Sequence, residues 1–301
     1  MLGHGQPGHR KHRLRGVDGE GSKSSSLPAH QEHSLSRLPH RSTVAHQRHT
    51  LPHELASSVA LMPVTQSLEQ LRRERLRSLG PSPLLTFYDL ATGERVELSH
   101  TTADNWVAKT ANLVTDLGIG AGDRLQLSLP PHWQSAVWCL ATWAVGAALV
   151  DGEPDLLVTG PESSDSSSPA NTAVVDLVVC SLRPLGLPCE APLPPGALDY
   201  ALEVRGHADR FTGPAPAASS LAIDLGGVRS THSEVLAAHP TDSDRAAGRL
   251  MQVDGTVASL ADLVVRALVS GGSLVLVRAG ESADPDAISR IAESERVTAL
   301  E

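Results

Sequence analysis

Four local patterns in this 301-residue sequence combine residue types that can do chemistry. Gly118-Ile-Gly-Ala-Gly-Asp123 could cradle a phosphate, since closely spaced glycines expose backbone N–H groups. Its glycines recur at every second residue, however, matching neither GxGxxG nor GxxxxGK[ST], and the run leads from a helix into a strand. A phosphate site needs the opposite order, with free N–H groups at a helix N-terminus, so the run reads as a helix-to-strand turn. Asp151-Gly-Glu153-Pro-Asp155 gathers three carboxylates that could hold a metal, or simply form an acidic turn beside Gly and Pro, which is the preferred reading. His232, just inside a helix, could act as a base or touch a substrate, although a solvated first-turn histidine is the commoner state. Cys139, Cys180 and Cys189 have no His or Asp at any catalytic spacing and are too few for a disulfide framework or a four-cysteine zinc site.

The elements that must position these residues follow from hydrophobic period and punctuation. Leu68, Leu71, Leu76 and Leu79 give a short amphipathic helix ending at Gly80-Pro81. Leu84–Leu90 is a strand, and a turn at Ala91–Glu94 leads back into a second strand around Arg95–Leu98. Ser99–Thr102 offers N-caps for a helix with Trp106, Thr110, Leu113 and Leu117 on one stripe, closed by Gly118. Arg124–Leu129 is a strand, Pro130-Pro131 begins a helix through Ala144, and Gly146–Val150 is a strand again: a βαβ unit, whose strands should be parallel. Further strands are expected at Asp155–Thr159, Val174–Ser181, Leu221–Asp224, Met251–Val253, Ser273–Val277 and Arg296–Leu300. Helices are expected after the Thr231/Glu234 capping box, over Ser259–Leu268 before Gly271-Gly272, and after Asp284-Pro285. The expected fold is therefore α/β, a largely parallel sheet with flanking helices.

Composition divides the chain. Residues 1–61 hold 8 Lys and Arg against 4 Asp and Glu, together with 9 of the 14 His and no aromatic residue. They read as a disordered His/Arg/Ser-rich tail, too poor in apolar residues to offset the cost of ordering, and as an extension that need not belong to the native start. Metal binding by the histidines is disfavoured, because their spacings are irregular and the one i,i+4 pair, His49 and His53, straddles Pro52. Residues 62–301 read as one domain with a polar low-complexity loop at 160–172, and they carry a net charge of −13. With Lys109 the only lysine after Lys23, nucleic acid is a poor partner. The apolar run Val137–Val150 falls short of the roughly 20 residues a membrane span needs. Reduced thiols and the lack of a secretory signal point to the cytoplasm.

The stretch Ser99–Val150 carries a family resemblance. With Trp106-Val-Ala-Lys-Thr-Ala-Asn-Leu113, Gly118-Ile-Gly-Ala-Gly-Asp-Arg-Leu125, Leu129-Pro-Pro-His-Trp-Gln134 and Leu140-Ala-Thr-Trp-Ala-Val-Gly-Ala-Ala-Leu-Val150, it resembles the N-terminal part of acyl-CoA synthetases and other AMP-binding, adenylate-forming enzymes. The resemblance resumes at Val228-Arg-Ser-Thr-His-Ser-Glu-Val-Leu236, Leu268-Val-Ser-Gly-Gly-Ser-Leu-Val-Leu-Val277 and Ile291–Leu300. More narrowly, the chain is similar to a small family of actinobacterial proteins that look like a shortened N-terminal region of those enzymes. The resemblance implies the fold of their N-terminal domain, and AMP or an acyl-adenylate as the ligand to test.

The departures change the expected function. In the family, ATP is gripped by a T-S-G-[ST]-T-G-x-P-K-G loop; at that place this chain has Leu221-Ala-Ile-Asp224-Leu-Gly226-Gly227-Val228, shorter, without lysine and with an acidic residue. At the acyl-site segment stands Met251-Gln-Val-Asp254-Gly255. The sequence stops at Glu301, ahead of the family's later nucleotide motifs and of the domain that supplies its adenylation lysine. The leading expectation is a non-catalytic relative with no catalytic residue and no metal, which binds a small molecule or a protein partner. The alternative is an AMP-forming acyl-activating ligase with a rebuilt site near Asp224, Thr231, His232 and Asp254, or with the missing domain supplied by another chain. A third reading is a purely structural docking protein, as a homo-oligomer or with a different partner.

Overall fold

The computed structural model describes residues 65–161, 176–240, 247–280 and 284–300. The expected tail at 1–61 and most of the low-complexity loop at 160–172 lie outside the described residues. In chain order the elements are α1 (Leu68–Leu79), β1 (Pro83–Asp89), β2 (Glu94–Ser99), α2 (His100–Asp116), β3 (Arg124–Ser128), α3 (Trp133–Val145), β4 (Ala148–Val150), β5 (Leu156–Thr159), β6 (Asp176–Val179), β7 (Leu198–Asp199), α4 (Tyr200–Glu203), β8 (Leu221–Leu225), β9 (Val228–Thr231), α5 (His232–Ala238), β10 (Arg249–Val253), α6 (Val257–Ser270), β11 (Ser273–Arg278), α7 (Pro285–Ser294) and β12 (Ala299–Leu300).

The α/β expectation holds, and parallel pairing dominates, but the strands form two sheets rather than one. One sheet runs β12-β10-β11-β1-β2 and the other β7-β6-β5-β3-β4-β8-β9, with antiparallel pairs only at β1–β2 and β8–β9 among the described residues. The βαβ unit β3-α3-β4 is parallel as expected, with Leu125 facing Leu149.

Helix α3 explains how two sheets share one core. Its sequence, Trp-Gln-Ser-Ala-Val-Trp-Cys-Leu-Ala-Thr-Trp-Ala-Val, has no charged residue, and Trp133 through Ala144 are all buried. A helix without a polar face must be covered all round, and α3 packs against β1 of one sheet and β3 and β4 of the other. Helices α1, α2 and α6 surround it. The period-2 alternation of a strand gives the five-stranded sheet two apolar faces. Leu274 and Leu276 of β11 join the main core, while Val275 and Val277 pack with Met251 and with Ile291 of α7.

Polar groups lock the layers. Arg75 of α1 donates through Nε to Leu268 O (2.7 Å) and through Nη2 to Val269 O (2.6 Å), satisfying carbonyls at the end of α6. The Glu69 carboxylate, fully buried, accepts from Arg72 Nε (2.7 Å), Arg72 Nη2 (2.9 Å) and Arg73 Nε (2.6 Å). Burial opposes the Arg72 charge, but Glu69 and Asp104 outweigh it and hold the guanidinium firmly protonated.

Several boundaries differ from the expectation. Pro130-Pro131 do not open α3: His132 is its N-cap, with Nδ1 accepting from Gln134 N (3.1 Å), so the prolines end the preceding strand link instead. Leu117 rather than Gly118 caps α2, with Gly118 at φ +83° just beyond it. The strand expected over Arg296–Leu300 pairs only at Ala299 and Leu300, because Arg296 takes φ +53° at the exit from α7. Strand β9 was not expected at all.

Candidate functional site

The unexpected strand β9 defines the most informative region. Leu225 pairs with Val228, leaving Gly226 and Gly227 as a two-residue hairpin turn at φ +58° and +78°. Positive φ at both central residues is what a tight hairpin of the right twist needs, and glycine adopts it without strain. Asp151 pins the turn by accepting from Gly226 N (2.7 Å), and Arg229 Nη1 reaches Asp224 Oδ2 (2.7 Å) across the strands. The Gly-Gly pair between β-prone runs was the sequence signal for this hairpin.

The four candidate residues do not converge. Asp224 pairs with Arg229 beside the turn, whereas Thr231 pairs with Leu221 at the far end of the same hairpin. Thr231 is the N-cap of α5: its hydroxyl accepts from Glu234 N (3.3 Å) and Glu234 accepts from Thr231 N (2.8 Å), completing the expected capping box. The Thr231 N–H, and the Thr231 hydroxyl donating to Glu234 Oε2 (2.9 Å), hold the Glu234 carboxyl below its usual range. His232 is a correction: instead of being solvated in the first turn, it is 0% exposed. Neither ring nitrogen has a hydrogen-bond partner among the described residues. Burial drives its imidazole down to about 4, against a small opposing pull from Glu69. Asp254 ends β10 in the other sheet, at φ +49°, with Oδ1 accepting from Ala279 N (3.0 Å).

The remaining patterns resolve as structure. In the glycine run, Gly118 and Gly122 take φ +83° and +90°, and Asp123 Oδ2 accepts from Gly120 N (2.9 Å), making the helix-to-strand turn expected. The acidic turn is divided: Asp151 serves Gly226, while Asp155 Oδ2 accepts from Arg124 N (2.9 Å). Among the described residues no group of His, Cys, Asp and Glu could hold a metal ion. Cys139 is fully buried, which pushes its thiol up to about 12, and Cys189 is pushed up to about 11. Neither is a ready nucleophile. Lys109, the chain's last lysine, spends its ammonium on His207 O (2.6 Å).

Beneath the hairpin lies a feature that sequence reasoning missed, a cavity of about 280 Å³. Trp143 lines it, with its Nε1 already donating to Ala222 O (3.1 Å). Ile223 and Leu225, an i,i+2 pair on β8, form one wall, and Ala261 and Val265 of α6 form another. Val235, Ala238 and His239 close it along an i,i+3,i+4 stripe of α5 and its C-cap. The space exists because alanines stand at positions 238, 258 and 261, where larger side chains would fill it. Polar groups occur at Ser230, His239 and Asp262, and His239 Nε2 lies 2.8 Å from Asp262 Oδ1. The α6 spacing Ala258, Ala261, Asp262, Val265 is legible in sequence, but the opposing hairpin was needed to show that it faces a void.

No family model matches the sequence. It is 36% identical over 238 residues to a protein of Mycobacterium tuberculosis described as "TIGR03089 family protein", covering 74% of this chain and 93% of that one. Among solved structures, acetoacetyl-CoA synthetase from Streptomyces lividans superposes with a TM-score of 0.64 at 20% identity, over 78% of this chain and 42% of the synthetase. An acyl-CoA synthetase of Brucella canis gives 0.64 at 18%, over 79% and 47%. The N-terminal domain of FACL13 from Mycobacterium tuberculosis gives 0.60 at 16%, over 78% and 62%. The chain thus spans about half the length of the solved structures it resembles, and its fold is that of a shortened N-terminal region of the adenylate-forming enzymes. No helix among the described residues is long and apolar enough to cross a membrane. At 36% identity over 238 aligned residues, which span 93% of the mycobacterial relative, the chain belongs to the TIGR03089 family.

Proposed function

We propose that the protein is a non-catalytic relative of the AMP-forming synthetases and acyl-CoA ligases, a cytoplasmic pseudoenzyme that uses their scaffold to bind a small apolar molecule. The observation that carries this reading is the two-residue turn between β8 and β9. Where the family resemblance calls for a ten-residue phosphate loop with a lysine, only Gly226 and Gly227 connect the strands. Two backbone amides cannot surround a triphosphate, and one of them is already bonded to Asp151. The flanking carboxylates of Asp151 and Asp224 would repel phosphate. The groove beside the hairpin, open to solvent on one side, supports a surviving binding role, since it is lined largely by apolar side chains. The free thiols of Cys139, Cys180 and Cys189 fit a reducing compartment.

The test is ATP–pyrophosphate exchange by the full chain, offered acetoacetate and a series of fatty acids in turn, because two of the structural relatives are named as acetoacetyl-CoA and acyl-CoA synthetases. No exchange above buffer is expected with any acid. Reproducible exchange that Asp224→Ala or Thr231→Ala abolishes would overturn the reading and favour the ligase.

A docking role is supported by the exposed apolar residues on two strand edges, one of which, Val228, also lines the groove. Val228 on edge strand β9 and Leu300 on edge strand β12 are 56% and 64% exposed, and exposed apolar strand edges invite pairing with another chain. A concentration-independent monomer in sedimentation would count against self-association there.

A further inference from the structure

We propose that residues 191–195, Ala-Pro-Leu-Pro-Pro, form a preshaped polyproline II ridge that docks into the aromatic-lined, basic-rimmed groove of a partner protein. The ridge lies between β6 and β7, at the opposite end of the seven-stranded sheet from the β8–β9 hairpin. It is therefore independent of the small-molecule reading.

The backbone shape follows from residue type. Proline holds φ at about −65° at positions 192, 194 and 195. Residues 191, 193 and 194 each precede a proline, which drives them out of the helical region into extended or polyproline II geometry. The observed exposure has the matching period: Pro192 and Pro195 are exposed, whereas Leu193 and Pro194 between them are half-buried. Polyproline II repeats about every three residues, so the two exposed prolines share one edge while the residues between them turn toward the body. A β-strand would instead alternate residue by residue.

Both ends of the ridge are fixed by the fold. At the entry, Cys189 N donates to Asp199 Oδ2 (2.8 Å). At the exit, Ala197 N donates to Pro194 O (3.0 Å) across Pro195 and Gly196, with Gly196 at φ +87°; this is a type II turn, with proline and glycine at the two positions that favour them. Strand β7 then pairs with β6. Ordering of the ridge is completed in folding and is not lost again on binding, the advantage of a rigid ligand.

The carbonyl oxygens of Glu190, Ala191, Pro192 and Leu193 accept no hydrogen bond among the described residues. They are open to donors such as a Trp indole N–H or a Tyr hydroxyl, and proline-rich segments dock in grooves lined by such aromatic side chains. Charge selects the rim. Residues 184–204 hold Glu190, Asp199 and Glu203 and no lysine or arginine, within a body of net charge −13. The Glu190 side chain at the head of the ridge is 75% exposed even though Arg183 Nη2 pairs with it at 2.5 Å. A basic rim complements this field and an acidic one opposes it.

The experiment immobilises two domains that take proline-rich peptides in aromatic grooves, a WW and an EVH1 domain, each in two forms with lysine or glutamate flanking the groove, and titrates the full chain over them. Saturable binding to at least one lysine form is expected, about fivefold or more tighter than to its glutamate form. The double variant Pro192→Ala/Pro195→Ala should weaken that binding about tenfold or more, with the urea midpoint close to wild type. Pro192→Ala alone, which leaves the type II turn intact, carries the test if the double variant unfolds. Leu202→Ala, 60% exposed but outside the ridge, should leave binding unchanged. Equal or tighter binding to the glutamate forms overturns the basic rim and with it the partner proposed. A loss in Leu202→Ala as large as in the proline variants means generic apolar contact and overturns the ridge. No saturable binding to any form up to about 1 mM overturns the proposal and leaves the small-molecule reading standing.

Discussion

Replacing His232 with leucine tests whether this histidine is chemistry or core. It opens α5, is fully buried, and has no partner for either ring nitrogen among the described residues. Its imidazole sits at about 4 in the folded chain, against an ordinary 6.5, because burial disfavours the charged ring. Since the folded value lies below the unfolded one, its contribution to stability is intact above pH 6.5 and is lost as pH falls toward 4. Integrating proton uptake over that window gives a loss of about 3 kcal/mol between pH 7 and pH 4 from this one ring. Leucine cannot take up the proton. Urea unfolding of the wild-type and His232→Leu chains at pH 7, 5.5 and 4, read by tryptophan fluorescence, should show the variant losing about 3 kcal/mol less over the range. Some acid sensitivity should remain, because buried His132 is held down to about 3 and titrates in its own right. At pH 7 the variant should be as stable as wild type, or more stable by up to about 2 kcal/mol, since an unsatisfied buried polar ring is removed. Equal losses in the two chains to within about 1 kcal/mol would refute the assigned burial penalty. A variant much weaker at pH 7 would mean that the ring has partners the geometry does not show.

Two further perturbations probe the scaffold. Glu69→Gln removes the charge facing Arg72 and Arg73 in the layer between α1 and α2. Leaving Arg72 buried with Asp104 as its only carboxylate should cost about 3–5 kcal/mol by chemical denaturation, and a loss below 1 kcal/mol would mean that water reaches the site. Gly272→Ala places a Cβ onto the backbone carbonyl oxygen of Gly248, which also accepts from Ser273 N (3.0 Å) where β10 and β11 begin to pair. It should lower stability by about 1–3 kcal/mol. Gly271→Asn, at φ +68° with only ordinary contacts, should cost clearly less, and the reverse order would contradict the packing described.

Much of the fold was written in local sequence, because local forces set those features. The Thr231/Glu234 box, the Asp284-Pro285 start of α7 and the Gly271 end of α6 are satisfied by atoms within a few residues of one another. The parallel β3-α3-β4 unit follows from a strand, a wholly apolar helix and a second strand in succession. The failures have a physical cause as well. The prolines before α3 suggested a helix start, yet His132 holds the cap because its ring nitrogen reaches Gln134 N, a geometry that residue type alone did not reveal.

By itself the sequence determined the α/β class, the family resemblance and the absence of lysine from Leu221–Val228, all properties of residue identity and order. Only the tertiary structure decided that the strands divide into two sheets about α3, that His232 is buried, and that Asp224, Thr231 and Asp254 lie apart. The cavity also belongs to the tertiary level. An alanine marks empty space only when the element opposite it is known, and that element, the β8–β9 hairpin, faces α6 across the 25 intervening residues 232–256, which no local pattern spans.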